Sequence, residues 1–255
     1  MRIFLAGATG VIGQRLVALL RDAGHEVTGM TRTPAKGAML RALDVAPVVV
    51  DVFDADALAY AVTTARPDVV VHQLTDLPSA PGTAGYPAAQ QANRRLRIEG
   101  TRNLMQAARR AGVRRVVAQS IAFVYAPGDG VHVEDDPLDV AAEGIRQLTV
   151  QGIVALEREV LRASGGAGVA LRYGYFYGPG TWYEVPPKAP SVHVDAAAYA
   201  ALLAVSKGAG VYNVAEDDGA VSSAKATHEL GFDPAFRVPE RLARKLRSVQ
   251  SEPLR

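Results

Sequence analysis

The chain of 255 residues contains no cysteine, so disulfides, thiolate metal ligands and cysteine nucleophiles are excluded. It contains no apolar run long enough to cross a membrane, and because its first apolar stretch starts at residue 3, we expect no targeting segment. These absences fit a cytoplasmic protein with no membrane partner. The net charge of +2 is too small to indicate nucleic acid as a partner.

Lysine is also scarce, because arginine supplies most of the positive charge. One arginine cluster lies between Arg94 and Arg115, and another between Arg237 and Arg247. No aromatic residue interrupts the first cluster, so we interpret it as an exposed helix face rather than a nucleic-acid groove. Nothing in the sequence indicates a metal site. The lysines are Lys36, Lys188, Lys207, Lys225 and Lys245.

What the chain does have is a glycine-rich turn directly after its first apolar run. Residues 3–6 predict a buried strand, and residues 14–20 have the pattern of an amphipathic helix. Between them, Gly7 permits the chain to leave the strand, Gly10 permits close approach of a bulky group, and Gly13 permits the helix to press on the sheet. The bare N–H groups and positive dipole end of such a helix predict a phosphate site. An ordinary glycine-containing turn is the alternative.

Further along, unbroken β-branched runs alternate with helical patterns, which predicts an α/β fold with a doubly wound parallel sheet. Beyond residue 172 the pattern loosens. We therefore expect a dinucleotide-binding domain over 1–172 and a small substrate-binding region over 173–255, interleaved with the end of the sheet. The predicted strands cover 26–31, 48–52, 69–74, 115–120, 169–172, 192–195 and 210–214; the predicted helices cover 54–66, 88–111, 140–163, 196–207 and 239–249, with a loop over 75–87.

The end of the second strand carries information about the cofactor. An acidic residue at this place binds the 2′-hydroxyl of the adenosine ribose, whereas an arginine accommodates a 2′-phosphate. This chain has Thr31 and Arg32 there, with Lys36 one helical turn later. The pattern favours NADP over NAD, unless Arg32 is an ordinary surface arginine.

Several segments together resemble the NAD(P)-dependent epimerase/dehydratase family, the extended or atypical short-chain dehydrogenases. They are the glycine turn 7–13, Asp51-Val52, the strand motif 70–75, the Gly-Thr-x-Asn-Leu segment 100–104, the segment 171–180, and the short pieces 191–195 and 212–214. The resemblance spans essentially the whole chain. It implies a Rossmann-type fold, NADP as cofactor, a small-molecule substrate, and a possible homodimer that pairs through helices 88–111 and 140–163. The cofactor contacts expected on these grounds are Gly7, Thr9, Gly10, Val11, Ile12, Gly13, Arg32, Lys36, Asp51, Val52, Gln73, Leu74, Thr75, Gln119 and Tyr173.

The chain departs from the family at the residues that move protons. The family's Tyr-x-x-x-Lys pair would fall, when aligned on Glu157, at Thr149 and Ile153. No lysine occurs between Lys36 and Lys188, so no shift of register restores the pair. A threonine has no accessible pKa for general acid work.

Two further family positions also differ. The usual upstream serine or threonine falls at Ile121, with Ser120 beside it. The asparagine that precedes Gly-Thr in the family is Arg97.

Replacement chemistry must then come from other side chains at the carboxyl ends of strands five and six. We take Tyr125, Ser120 and Tyr175 as candidate catalytic residues, with packed loop aromatics as the alternative. The tyrosines of the segment 173–177 are expected to form first of all a wall for cofactor and substrate. His72 and His193 are expected to be structural.

The segment 183–191, which carries three prolines, is short for a nucleotide-sugar pocket. It favours a smaller, flatter ligand that contacts Phe123, Tyr175 and Trp182.

Three hypotheses follow. The first is an NADP(H)-binding oxidoreductase or epimerase-like enzyme acting on a small organic substrate with a non-standard proton donor. The second is a catalytically decayed NADP-binding sensor or scaffold, and the third is an enzyme that uses the same fold for non-redox chemistry.

Overall fold

A computed structural model describes residues 1–77, 85–163 and 167–251 of the chain. Its centre is a parallel sheet of seven strands in the order β3-β2-β1-β4-β5-β6-β9. This order confirms the predicted α/β fold with a doubly wound sheet. The strands are β1 (Arg2–Ala6), β2 (Glu26–Thr31), β3 (Ala46–Val49), β4 (Val69–His72), β5 (Arg115–Ile121), β6 (Gly168–Tyr173) and β9 (Gly210–Val214); a second, two-stranded parallel sheet pairs β7 (Tyr175–Tyr177) with β8 (Ser191–His193).

Helices cover both faces of the large sheet because its strands are apolar on both sides. One apolar layer joins α1 and α7 to β1 and β6, and the other joins α3 and α5 to β4 and β5. The helices are α1 (Val11–Asp22), α2 (Pro34–Ala42), α3 (Ala55–Ala65), α4 (Tyr86–Arg95), α5 (Thr101–Arg110), α6 (Gly144–Ala163), α7 (Val194–Ala204) and α8 (Glu240–Ser251); π-helical turns lie at Leu96–Gly100 and Ala226–Leu230.

The strand order reverses between β1 and β4, which is where such a sheet opens a crevice for ligands. Gly7 follows β1 and Gln73 follows β4, and the two backbones nearly touch. A Cβ added to Gly7 would lie 2.6 Å from the carbonyl carbon of Gln73, and the φ angle of Gly7 is +90°. Only glycine fits this position, as the sequence predicted.

The helix predicted over 88–111 is interrupted. A π-helical turn at Leu96–Gly100 separates α4 from α5, so one extra residue is accommodated in the middle of the segment. Of the loop predicted over 75–87, residues 78–84 lie outside the described residues, and Tyr86 already belongs to α4.

Three predicted strands end earlier than expected. β4 ends at His72, two residues before the predicted end at residue 74. β3 ends at Val49 because its partner β2 ends at Thr31, opposite that residue. β8 ends at His193, and the predicted strand residues Val194 and Asp195 instead open α7.

The division of the chain at residue 172 and the homodimer remain predictions. The region after residue 172 supplies β9 to the large sheet as well as β7, β8 and the segment beside the second cavity described below. Within the described ranges, no helix is long and apolar enough to cross a membrane.

Candidate active site

Two adjoining cavities lie along the carboxyl ends of the strands, and Thr75 lines both. The smaller has a volume of about 210 Å³ and the larger about 320 Å³. We call them the nucleotide cavity and the aromatic cavity. The nucleotide cavity is lined by Gly7, Thr9, Gly10, Met30, Thr31, Arg32, Thr33, Lys36, Asp51, Val52, Phe53, Gln73, Leu74, Thr75, Asp76 and Leu96. The aromatic cavity is lined by Val11, Thr75, Leu77, Tyr86, Gln90, Asn93, Arg97, Gln119, Ile121, Phe123, Thr149, Gly174, Tyr175, Phe176, Gly180, Thr181, Trp182 and Tyr183.

The glycine turn opens the nucleotide cavity at the N-terminus of α1. Gly10 is the N-cap of this helix and supplies no side-chain cap, and no acidic residue lies in the first helical turn. A Cβ at Gly13 would overlap the carbonyl oxygen of Gly7, so the helix can approach the turn only with glycine there. The result is a set of uncapped N–H groups at a positive dipole end, which suits a pyrophosphate.

The far end of this cavity is basic. Arg32 follows β2, Lys36 lies in the first turns of α2, and neither forms an ion pair or hydrogen bond within the described ranges. Asp51 and Asp76 are the acidic residues in the wall of this cavity, and Asp51, which follows β3, accepts a hydrogen bond from the N–H of Phe53 at 2.9 Å. Two cations with no partner at this place can bind a phosphate group.

The ends of β3 and β4 are held by side chains of α5. Asn103 donates to the carbonyl of Val52 at 3.0 Å, and Thr101 lies 2.9 Å from Nε2 of His72. These two residues belong to the Gly-Thr-x-Asn-Leu segment, so its role in this chain is to fix the wall of the nucleotide cavity.

Gln73 is the clearest sign that a polar ligand belongs in this cavity. Its amide is buried, and neither Nε2 nor Oε1 makes a hydrogen bond of good geometry in the part of the chain that the structure describes; the only polar group found to act on it is the buried Tyr173 hydroxyl, whose pKa the amide lowers slightly against the effect of burial. Orphaned buried amides are rare in native proteins. The glycine cradle, the free cations and this amide together fit a nicotinamide dinucleotide.

The aromatic cavity has flat walls. The rings of Phe123 and Tyr175 stack at 4.0 Å with an angle of 8° between them, and Nζ of Lys188 lies 4.5 Å from the Tyr175 ring centroid. Trp182, which is 40% exposed, lines the mouth of the same cavity. The predicted contacts Phe123, Tyr175 and Trp182 therefore come together.

The position of the family's tyrosine is part of this cavity too. Thr149 lines it, with its hydroxyl 3.4 Å from Oε1 of Gln90. Ile153, at the position of the family's lysine, is fully buried among Ile121, Val124 and Val150. No lysine lines this cavity.

The hydroxyl groups of Tyr125 and Ser120, two of the candidate catalytic residues, are held in one buried hydrogen-bond network. The hydroxyl of Tyr125 donates to Oδ1 of Asn213 at 2.7 Å and accepts from Arg172 at 2.8 Å. Ser120 donates to Glu157 at 2.7 Å, and Glu157 pairs with Arg172. Both residues are buried in this network and line neither cavity, which argues against their predicted contact with substrate.

The expected cofactor contacts can be grouped by the cavity that they line. Most line the nucleotide cavity, while Val11 and Gln119 line the aromatic one. Ile12, Gly13 and Tyr173 line neither, because Ile12 and Tyr173 pack in the core and Gly13 lies against Gly7. Burial raises the pKa of Tyr173.

His72 and His193 are structural, as expected from the sequence. Burial, with a smaller effect of the nearby Arg97 charge, lowers the pKa of His72 to about 4, so the ring is neutral at pH 7. Its Nδ1 accepts from the N–H of Leu74 at 3.2 Å, which leaves Nε2 to donate to Thr101. His193 accepts from the N–H of Asp195 and caps α7.

Sequence reasoning missed one functional candidate. Arg97 was noted only as a departure from the family's asparagine, yet it lines the aromatic cavity and is 7% exposed. Asn93, one helical turn earlier, lines the same cavity with its Nδ2 buried and without a partner in the described ranges. The changed residue type at position 97 was the only available signal.

The sequence of the chain is similar to that of a known protein family. Residues 7–192 match the family model described as NAD(P)H-binding. A 3-diazoavenalumate denitrifying reductase from a Streptomyces species is 41% identical over 96% of this chain and 87% of its own length. A 3 beta-hydroxysteroid dehydrogenase/Delta 5→4-isomerase from Mycobacterium tuberculosis is 30% identical over 70% of this chain, but the match spans only 48% of that longer protein.

The fold agrees with these matches. The crystal structure of Thermus thermophilus UDP-glucose 4-epimerase in complex with NAD superposes with a TM-score of 0.72, at 20% identity, over 98% of this chain and 99% of that chain. The resemblance inferred from the sequence motifs is thereby confirmed at the level of family and fold. The chain belongs to the NAD(P)H-binding family and has its Rossmann-type fold.

Proposed function

We propose that this protein is an NADPH-dependent reductase that replaces a diazonium group on a small aromatic substrate by hydrogen. When bound, the reduced nicotinamide supplies a hydride. The new C–H bond takes the electron pair of the hydride, and the C–N bond breaks with its own pair remaining on nitrogen, which leaves as N₂. The resemblance to the Streptomyces denitrifying reductase supports this choice of leaving group.

The observation that carries the proposal is the loss of the proton-donating pair. Reduction of a carbonyl develops negative charge on oxygen, so the site must supply an acid near neutral pH. Here Thr149 and the buried Ile153 occupy the positions of the tyrosine and lysine. When N₂ leaves, no oxyanion forms and no proton has to be donated. A site without the tyrosine and lysine can therefore support this reaction.

Tyr175 remains a candidate for contact with the reacting substrate. Its ring stacks on Phe123 in the aromatic cavity, and its hydroxyl makes no hydrogen bond within the described ranges. Phe123 and Lys188 already lie over the Tyr175 ring, so we propose that the ring contacts a flat substrate through its edge; an aromatic contact of this kind is worth about 0.5–1.5 kcal/mol beyond area burial. The hydroxyl is then dispensable.

The test is reduction of an aryl diazonium carboxylate with NADPH deuterated at the transferred position. We expect NADPH consumption above the protein-free background and deuterium at the ring carbon that lost nitrogen. Tyr175→Phe should keep the rate within about twofold, while Tyr175→Ala should lower kcat/KM by about tenfold because the aromatic contact and the packing of Phe123 are lost.

Two results would contradict the proposal. Tight NADPH binding with no turnover of diazonium compounds would favour the sensor hypothesis. Turnover of carbonyl compounds that Tyr175→Phe abolishes would instead make the phenol a proton donor and the protein a carbonyl reductase.

We further propose NADP rather than NAD as the cofactor, on account of Arg32 and Lys36. Arg32→Ala should weaken NADPH binding by about tenfold or more, because hydrogen bonds to charged groups contribute about 1.5–3 kcal/mol, and should leave NADH binding unchanged. Cofactor fluorescence titration measures both. Arg41→Ala, on the helix α2 that carries Lys36 but outside the cavity, is the control; an unchanged NADPH/NADH ratio in Arg32→Ala would refute the assignment.

A further inference from the structure

The aromatic cavity contains a buried positive charge that the proposed hydride transfer does not use. Arg97 lies in the π-helical turn between α4 and α5 and is 7% exposed. It forms no hydrogen bond or ion pair with any residue of the described ranges 1–77, 85–163 and 167–251. A buried charge without a partner is costly, so such groups normally pair or bind a ligand.

A glycine on α6 provides the space that the Arg97 side chain occupies. Its aliphatic stem crosses α6 at Gly152, where an added Cβ would lie 3.1 Å from Cδ and 3.4 Å from Cβ of Arg97. Any larger residue at 152 would press on the stem. The π-helical turn and the glycine together keep Arg97 in the wall of the aromatic cavity.

Nothing described near Arg97 neutralises it. Among the described residues, no aspartate or glutamate lines the aromatic cavity. His72, a nearby titratable group, is neutral at pH 7 because burial lowers its pKa, and its Nδ1 accepts a hydrogen bond from the N–H of Leu74. Burial lowers the pKa of Arg97 to about 10, and this still leaves the guanidinium charged at pH 7.

A second donor faces the same space. Asn93 lies one helical turn before Arg97; its Oδ1 accepts from the N–H of Asp76 at 3.1 Å, which orients Nδ2 as the free donor. That Nδ2 is buried and without a partner among the described residues. A planar guanidinium and an amide N–H in the wall of one cavity suit the planar, two-oxygen shape of a carboxylate.

We propose that Arg97 and Asn93 bind the carboxylate of a planar aromatic substrate whose ring lies along Phe123 and Tyr175. The inference deepens the proposed function, since it names the group by which that site recognises its substrate. The cofactor phosphates are not expected to compete, because Gly7, Thr9 and Gly10 of the glycine turn line the other cavity.

Binding can be measured without turnover. We titrate 4-hydroxycinnamate, and separately its neutral amide, into the protein saturated with NADP⁺, by calorimetry. The acid should bind about tenfold or more tightly than the amide, as expected for hydrogen bonds to a charged group. Arg97→Met should reduce the acid to the affinity of the amide and leave NADP⁺ affinity unchanged.

The matched control is Arg94→Met. Arg94 lies three residues earlier, donates to Gln151 and does not line the cavity, so its loss should leave the acid-to-amide ratio as it is. Should Arg97→Met fail to fold, Arg97→Lys keeps the charge without the planar fork and should lower the ratio several-fold.

Equal affinities for acid and amide, or a ratio that neither Arg97 variant changes, would overturn the inference. So would competition between the acid and NADP⁺, which would place the anion at the cofactor. Turnover without a preference for the acid overturns this inference alone, while a preference for the acid without turnover overturns the proposed function alone.

Discussion

Gly10 shows, at the scale of a single residue, how a ligand rather than the fold can demand glycine. A Cβ at Gly10 would meet only the carbonyl oxygen of Gly7, at 3.4 Å, which is ordinary contact, whereas a Cβ at Gly7 or Gly13 would collide with backbone. The Gly10 φ angle of −77° is open to any residue. We therefore propose that the space at Gly10 is kept for the cofactor.

We expect Gly10→Ala to fold with a thermal midpoint within a few degrees of the native protein and to bind NADPH at least about tenfold more weakly, since the methyl group would occupy the place of the pyrophosphate. Differential scanning fluorimetry and cofactor titration measure the two effects. Native-like cofactor affinity in this variant would mean that the pyrophosphate lies elsewhere.

His72 makes a second prediction at this scale, on pH. Its pKa is about 4 in the folded protein against 6.5 as the ordinary value. The unfolded chain therefore binds more protons between these values, and the stability contributed by the neutral ring, complete above pH 6.5, is lost as the pH falls toward 4. The shift corresponds to roughly 3 kcal/mol of unfolding free energy.

Urea unfolding of the native protein and of His72→Asn between pH 7 and 4 isolates this contribution. The native protein should lose roughly 3 kcal/mol more than the variant across that interval. Parallel pH profiles would mean that His72 has the same pKa in the folded and the unfolded protein, which would contradict the effect of its burial.

At the scale of elements, a buried ion pair ties α6 to the sheet. Glu157 of α6 accepts three hydrogen bonds, two from Arg172 of β6 at 2.8 Å and one from Ser120 of β5 at 2.7 Å. The side chains of the pair are only 5% and 8% exposed. This pair orients the helix that carries Thr149 and Ile153, so it acts on the site through the backbone.

Removing one partner should be costly because the other charge stays buried. Glu157→Gln is expected to lower the free energy of unfolding by about 3–5 kcal/mol, whereas Glu159→Gln, on the same helix with a long and exposed pair to Arg158, should cost under about 1 kcal/mol. Urea unfolding compares the two. Equal losses would mean that the Arg172 charge finds another partner.

At the scale of the whole molecule, the two cavities meet at Thr75, where β4 passes into its loop at the switch point of the sheet. Elements that are distant in the sequence line the two cavities. They are the turn after β1, the helices α4 and α6, and the segment 174–183. Cofactor binding therefore joins parts that are distant in sequence, and it should stabilise the molecule as one unit.

NADP⁺ at a hundredfold excess over its dissociation constant should stabilise the native state by about 2.7 kcal/mol. For a chain of this size the thermal midpoint should rise by roughly 5–10 °C. The same concentration should raise the midpoint of Gly10→Ala far less. A native protein whose midpoint does not respond to NADP⁺ or NAD⁺ would contradict the assignment of the nucleotide cavity.

The sequence alone was sufficient for the sheet, the glycine turn and the basic end of β2. Each depends on neighbours within one strand, turn or helix, because strand burial, a positive φ angle and a helix N-terminus are encoded by residues that are adjacent in the chain. Thr149 and Ile153 were equally readable, since their spacing on α6 is local.

Tertiary structure alone decided what the polar side chains do. The hydroxyl of Tyr125 is hydrogen-bonded to Arg172 and Asn213, which lie 47 and 88 residues away in the sequence. Arg97 is directed into the aromatic cavity by a π-helical turn and by a glycine on another helix. The burial of a charge and its lack of a partner are set by which elements pack together, and no local pattern in the sequence encodes that.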